Sequence, residues 1–300
     1  MPMKIEDADL PPLFRAADSV SVRSQKIYLR CLAADLILIA IAGVAGAIAL
    51  ESHDAKVTLA WIAAISMAGG FVLTLYIKGR QFEHNWFDGR AVAESVKTSA
   101  WRFIMGTEPY DHNLSETDAV LMFTDSLKNV IAERKRFAAL LTTEVPENHF
   151  QVTPKMLEVR KYAVDEKKAI YLEERLNNQR QWYANKASAN VRNSNRWFNA
   201  ILAAQGFGLL STYVLVNYPE LPILLPSVFA TVAAAFVAWL QLKRHQELAS
   251  SYGLAAQELS FIATQINVVE DLEKLSSFVA DAENAISREH TMWVARRDEI

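Results

Sequence analysis

Two apolar stretches decide the fold: Cys31–Leu50, CLAADLILIAIAGVAGAIAL, and Thr58–Ile77, TLAWIAAISMAGGFVLTLYI. The first contains one charged residue, Asp35, and the second contains none. Twenty helical residues rise about 30 Å, which matches the hydrocarbon core of a bilayer. The short connection ESHDAKV therefore predicts a hairpin of two membrane-spanning helices.

A second pair of apolar stretches, Trp197–Tyr218 and Ile223–Leu242, follows a polar segment of more than 110 residues. The alternative is that all four stretches are buried helices of a large soluble protein. Their uninterrupted length and their apolarity on every side disfavour it. The 300-residue chain is 51% hydrophobic and 22% charged, with the two classes segregated along it. No alternating strand pattern of useful length appears, so we predict an all-α integral membrane protein.

The basic residues near the span ends predict the orientation. Lysines and arginines lie at the open ends of both hairpins, away from the tight turns. They are Arg23, Lys26, Arg30, Lys78, Arg80, Arg192, Arg196, Lys243 and Arg244. The two tight turns carry only Lys56 against several acidic residues. By the positive-inside rule, both termini and the long middle segment are expected in the cytosol. The acidic, proline-containing start MPMKIEDADLPPLF does not resemble a signal peptide, so we expect the first span to be retained.

The sequence repeats itself at an offset of 164 residues. The identities join Arg80, Glu83, Gly89, Ala91 and Glu94 to Arg244, Glu247, Gly253, Ala255 and Glu258. We therefore predict two units, residues 9–146 and 154–297, with spans at about 31–50 and 58–77 in the first and about 197–218 and 223–242 in the second. The segment EVPENHFQVTP is the expected linker.

Apolar residues at alternating spacings of three and four predict a helical bundle outside the membrane. One such seam contains Phe123, Leu127, Val130, Arg134, Phe137 and Leu141. A second contains Val268, Leu272, Leu275, Val279, Ala282 and Ile286.

Polar residues within the spans are the candidate pore or interhelix positions. Asp35 either sits at the membrane boundary, near headgroup water or Arg30, or takes part in a pore or gate. Ser66 and Thr74 share a helical stripe with Gly70, and Gln205 and Thr212 share one with Gly208. Such stripes either let helices pack closely or, for Gln205 and Thr212, line an aqueous path in an oligomer.

Charged residues just beyond the spans form a second candidate group. Arg80 with Glu83, and Arg244 with Glu247, are spaced to pair along a helix. They are either headgroup-level anchors or parts of a binding site. The matched Glu94 and Glu258 are expected to hold together the helices that lead into and out of the membrane.

Several chemistries are disfavoured by the sequence. A net charge of −3 gives no reason to expect nucleic-acid binding. Cys31 is the single cysteine, which excludes an intramolecular disulfide and a multi-cysteine metal site. The six histidines form no HExxH spacing, and there is no glycine-rich phosphate loop or nucleophile elbow. We expect no catalytic residue, metal or cofactor, and hence not an enzyme.

The second half resembles a SLATT domain, a two-transmembrane effector domain. The resemblance is carried by YLEERLNNQRQWYANKASANVRNSNRWFN before the spans, and by SYGLAAQELSFIATQ and ENAISREHTMWVARR after them. In the first half, LPPLFRAADSVSVRSQKIYLRC and WFDGRAVAESVKTSAWRF resemble another variant of the same family. Together the two resemblances cover nearly the whole chain.

The resemblance implies a pore-forming or membrane-disrupting effector of a bacterial conflict system, in the inner membrane. A pore further implies a homo-oligomer, because four spans make a poor wide pore alone. Such effectors are often encoded beside a nucleotidyltransferase or a nucleotide sensor. Because no sensor domain is visible, the trigger is either a nucleotide second messenger or a separate sensor or activator protein. The alternative function is a non-conducting membrane scaffold or sensor that recruits a partner through its cytosolic helices.

Overall fold

A computed structural model of the protein describes residues 4–48, 52–141 and 150–298. In these residues nearly all of the chain is helical, and the only β pairing is the isolated bridge between Ile48 and Ile223. The helices are α1 (Pro12–Gly46), α2 (His53–Arg80), α3 (Phe82–Met105), α4 (Glu116–Ala132), α5 (Lys135–Leu141), α6 (Pro154–Arg160), α7 (Val164–Ile170), α8 (Asn178–Asn217), α9 (Leu225–Lys243), α10 (His245–Gln265) and α11 (Leu272–Asp298). The all-α prediction is confirmed. Residues 49–50 of the first predicted span, and residues 144–149 of the predicted linker with the unit boundary at 146, lie outside the described residues.

Local sequence explains where several helices start and stop. The Ser115 hydroxyl accepts from the Asp118 amide and caps α4, and Thr153 caps α6 in the same way, just before Pro154. Gly106, at φ +74°, ends α3 in the left-handed conformation that glycine tolerates best. Between α7 and α8 the helix does not stop, because Tyr171–Asn177 continues it in π-helical geometry.

Both helices that leave the membrane are interrupted by one left-handed residue. Gln81, at φ 51°, separates α2 from α3, and Arg244, at φ 45°, separates α9 from α10. The two breaks are 163 residues apart, whereas the sequence identities align at 164. The second break therefore falls one residue earlier in its repeat than the first.

The chain forms two compact units, and each draws on both halves of the sequence. The membrane unit comprises Lys26–Phe82 and Ala187–Ser250, and the bundle unit comprises Met1–Gln25, Glu83–Lys186 and Ser251–Ile300. The domain bounds 9–146 and 154–297 stay predictions.

The membrane unit contains most of each predicted span in α1, α2, α8 and α9; among the described residues, 47–48, 218 and 223–224 of the predicted spans lie outside these helices. Each of these helices is long and apolar enough to cross a bilayer, and at most 17% of any apolar window is buried. Large apolar side chains such as Phe71 (66% exposed) and Val216 (75% exposed) point away from the chain's own helices. Buried helices of a soluble protein would not expose such surfaces. The protein is therefore a multi-pass membrane protein.

The bundle unit has an aromatic and aliphatic core that includes most of both predicted seams. Phe103 of α3 stacks on Phe123 of α4, with ring centroids 4.8 Å apart. The buried seam residues are Phe123, Leu127, Phe137, Leu141, Leu275, Val279, Ala282 and Ile286. The prediction for Val268 is wrong, because it lies in a 3₁₀ turn before α11 and is 71% exposed.

Candidate functional site in the membrane-spanning helices

Asp35 lies on the face of α1 that contacts α2. Its Oδ1 is close enough to Gly70 that a β-carbon there would be 2.8 Å from it. Ser66, one turn along α2 from Gly70, is buried, whereas Thr74 on the other side is exposed. The structure therefore brings Asp35 against the predicted Ser66–Gly70 stripe, so that this carboxylate faces a protein helix, as intramembrane acids usually do.

The two hairpins contact each other through α1 and α9. A β-carbon on Gly43 would be 2.7 Å from Cγ2 of Thr231, so only glycine permits this approach. At the turns, the amide of Leu224 donates to the carbonyl of Ala47 at 2.9 Å, next to the Ile48–Ile223 bridge. Close packing through small residues is the usual way in which membrane helices associate.

Gln205 and Thr212 both lie on the exposed face of α8. The Thr212 hydroxyl donates to the Gly208 carbonyl of its own helix at 3.0 Å. The Gln205 amide makes no hydrogen bond to any residue that the structure describes, and its exposed neighbours include Leu209, at 75%. Ala204 and Ser211, one residue before each of them, are the ones buried against the chain's own helices.

The charged residues beyond the spans differ between the two repeats. Arg244, the left-handed residue after α9, pairs with Glu247 at 2.5 Å. Its counterpart Arg80 is instead the last helical residue of α2, and its guanidinium lies 6.0 Å from the Tyr76 ring centroid. Glu83 is in the first turn of α3. The one-residue shift of the helix break explains why the two arginines are placed differently.

Glu94 belongs to a chain of contacts between α3 and α8. It pairs with Arg90 at 3.9 Å, and the Arg90 guanidinium lies 5.4 Å from the Trp182 ring centroid. Trp182 in turn contacts Tyr252 of α10 edge-on at 5.4 Å. Burial, followed by the charge of Glu94, raises the pKa of the Asp18 carboxyl on α1. Glu258 is half-buried on α10. The roles of these glutamates in joining helices stay predictions.

The bundle unit contains a buried polar network that sequence reasoning missed. Arg175 donates two hydrogen bonds to the Glu283 carboxylate, from Nε to Oε1 at 2.8 Å and from Nη2 to Oε2 at 2.7 Å. Tyr171 donates to the same carboxylate at 3.0 Å, and Thr98 does so at 2.9 Å. Glu283 is fully buried and Arg175 is 1% exposed. Bidentate pairs of this kind are among the strongest hydrogen-bonded contacts.

The electrostatics of this network follow from burial and charge. Burial lowers the pKa of the Arg175 guanidinium, but the Glu283 carboxylate more than offsets this, so the pKa is raised overall. Burial and then Glu283 raise the pKa of Tyr171 well above its ordinary value. Arg175 and Tyr171 both lie in the π-helical segment, a geometry that is frequent at functional sites. The available sequence signal was Glu283 itself, an acid four residues after Val279 and three before Ile286 in the apolar seam.

Two family models match the chain in tandem. The SMODS and SLOG-associating 2TM effector domain 3 matches residues 11–168, and the SMODS and SLOG-associating 2TM effector domain 1 matches residues 171–293. The chain belongs to this family, known as SLATT. Neither the curated proteins nor the solved structures yield a match. The tandem SLATT resemblance is confirmed, and with it an effector domain of the type associated with bacterial conflict systems.

The two SLATT domains are intertwined rather than separate. Thr98 belongs to the first domain, whereas Arg175 and Glu283 belong to the second, and all three share one buried network. In the membrane unit, Gly43 of the first domain contacts Thr231 of the second. In the part of the chain that the structure describes, no three His, Cys, Asp or Glu side chains lie close enough to hold a metal ion.

Proposed function

We propose that this tandem SLATT protein is a non-enzymatic, oligomeric effector in the bacterial inner membrane. A signal received by its cytosolic bundle opens a conductive path through the spans. Both termini and the middle segment lie in the cytosol, as the distribution of basic residues predicts. The trigger is a nucleotide second messenger or a separate sensor protein.

The observation that carries the proposal is the exposure of Gln205 and Thr212 on α8. Polar side chains within a membrane usually face protein or water, because lipid cannot satisfy their hydrogen bonds. In one copy of the chain neither side chain faces another helix, since the helices of the membrane unit bury Ala204 and Ser211 instead. Thr212 bonds back to its own helix, so it is the Gln205 amide that has no hydrogen-bond partner among the described residues. Association of several copies would place Gln205 and Thr212 at an interface or along an aqueous path.

Reconstitution in liposomes tests this proposal. We expect the purified full-length protein, with its genomic partners or candidate nucleotides, to release an entrapped dye. The Gln205→Leu, Thr212→Val variant should lose most of this release, because the path would lose its polar lining. Absence of leakage under every activating condition would sink the proposal.

A matched control is available on α10. Thr264 bonds back to the Ser260 carbonyl at 3.0 Å, the same geometry that Thr212 has with Gly208, and Gln257 is exposed like Gln205. The Gln257→Leu, Thr264→Val variant therefore makes the same chemical changes outside the spans. Equal leakage from wild type and both variants would show that Gln205 and Thr212 do not line the path.

A second candidate function, partner recruitment without conduction, is favoured by an apolar stripe on the bundle unit. Leu254 and Phe261 lie seven residues apart on α10 and are 64% and 73% exposed. Apolar stripes with this period commonly receive a partner helix. Replacing Leu254 and Phe261 by glutamine should then abolish a partner complex, and membrane permeability should stay at the empty-liposome level throughout.

A further inference from the structure

The membrane unit contains an apolar groove of about 700 Å³ among α1, α2, α8 and α9. Its lining side chains are all apolar and include Ala40, Leu59, Val232 and Phe236. Along α1 the lining runs from Ala33 to Ala45, a rise of about 18 Å at 1.5 Å per residue. One leaflet of the hydrocarbon core is about 15 Å deep, so the groove matches the length of a single acyl chain.

One end of the groove carries aromatic and basic residues. Trp197 and Trp239 both line it, and their ring centroids are 6.2 Å apart. The Lys243 ammonium lies 5.6 Å from the Trp239 ring centroid. Tryptophan and lysine are the residues that typically mark the headgroup level of a membrane.

We propose that this groove binds an acyl chain of an anionic phospholipid, with the phosphate headgroup beside Lys243. The apolar lining provides the contacts for the acyl chain, and the lysine at the aromatic end provides the positive charge that complements the anionic headgroup. This inference does not depend on whether the spans conduct.

The chemistry of the groove favours lipid over a helix from a second copy. Its apolar lining extends over about one leaflet, and its aromatic end lies beside Lys243, which is the arrangement that an acyl chain below an anionic headgroup requires.

Native mass spectrometry of the full-length protein in nonionic detergent tests the site. Palmitoyl-oleoyl phosphatidylglycerol and phosphatidylcholine are added in equal amounts, and we expect the phosphatidylglycerol adduct to dominate. Lys243→Gln should reduce that preference about fivefold, which corresponds to about 1 kcal/mol for one lysine near an anionic surface. Ala40→Phe should remove both adducts by filling the groove.

Matched controls are Lys78→Gln, at the end of α2, and Ala64→Phe, on an exposed position of that helix. Neither residue lines the groove, so both variants should bind lipid like wild type. The proposal is overturned if wild type shows no adduct, if it binds both lipids equally, or if Lys243→Gln and Ala40→Phe behave like their controls. It is also overturned if Ala40→Phe leaves the adducts intact and instead breaks an oligomer.

A second measurement covers the case in which Ala40→Phe does not fold. Phosphatidylglycerol with brominated acyl chains quenches nearby tryptophans, so in detergent it should quench wild type through Trp197 and Trp239. Phenylalanine at both positions should abolish most of the quenching, whereas Trp61→Phe, at a 65% exposed position, should not. The reverse pattern would place the lipid elsewhere and refute the site.

Discussion

Replacing Arg175 by methionine should strongly destabilise the bundle unit. The change removes both guanidinium hydrogen bonds, at 2.8 and 2.7 Å, from the fully buried Glu283 carboxylate. Tyr171 and Thr98 would remain as its donors. Glu283 would then be a buried charge without a counter-ion.

The magnitude can be worked out in two ways. Each hydrogen bond to a charged group contributes about 1.5–3 kcal/mol, so losing two costs about 3–6 kcal/mol. Breaking a buried ion pair by removing one partner costs about 3–5 kcal/mol. We therefore expect Arg175→Met to lower the free energy of unfolding by about 4 kcal/mol. Removing both charges, as Arg175→Met with Glu283→Gln, should cost less, because no charge is then left buried and the side-chain carbonyl oxygen can still accept from Tyr171.

Hydrogen–deuterium exchange of the full-length protein in detergent measures this effect locally. A loss of about 4 kcal/mol should reduce the protection of the α11 peptide over residues 272–287 by roughly a thousandfold. Peptides from α2, in the membrane unit, serve as the internal reference. The reasoning is refuted if Arg175→Met costs less than about 1 kcal/mol, or if the double variant is as unstable as the single one.

Three further predictions concern the ends and contacts of the helices. Lys167 is buried and donates to the Met105 carbonyl, and burial followed by the charge of Arg160 lowers its pKa to about 8. The unfolded chain keeps the lysine protonated to higher pH than the folded chain does. The free energy of unfolding of wild type, relative to that of Lys167→Met, should therefore rise between pH 8 and about pH 10.5. A difference between the two melting temperatures that does not change with pH would contradict this. Gly43→Val should cost about 1–3 kcal/mol through overlap with Thr231, and Thr231→Ala should recover part of the loss; a Gly43→Val protein with the wild-type melting temperature in detergent would disprove the contact. Ser115→Ala should cost about 1 kcal/mol by removing the α4 cap, measured by exchange in α4, and an unchanged protection factor would argue against the cap.

The membrane spans could be predicted because length and apolarity are sufficient criteria for them. The stretches Thr58–Ile77 and Trp197–Tyr218 fall within α2 and α8, apart from the terminal Tyr218. Hydropathy does not mark where such helices begin, and α1 starts at Pro12, well before Cys31. A helix can continue from a polar segment into an apolar one without any change in its backbone.

The buried network could not be predicted. Hydrophobic periodicity indicates which side of a helix is buried, but it does not indicate which residue of another helix contacts that side. The seam around Val279 identified which side of α11 is buried, but Arg175 is 108 residues away from Glu283. A buried charge pair is also unusual, since it must offset a large desolvation cost. The same limit explains Val268, where the seven-residue period continued through a 3₁₀ turn that points the side chain outward.

The sequence repeat is clearest where each SLATT domain leaves the membrane. The structural feature that the two repeats share there is the helix break. A non-glycine residue in the left-handed region costs about 1–2 kcal/mol, so surrounding contacts must hold it there. Gln81 and Arg244 share neither side-chain chemistry nor alignment position, yet both adopt this conformation. The break is therefore not specified by one residue type. Each break instead lies at the end of an apolar span, directly after α2 and directly after α9, and this shared position is what the two SLATT variants have in common.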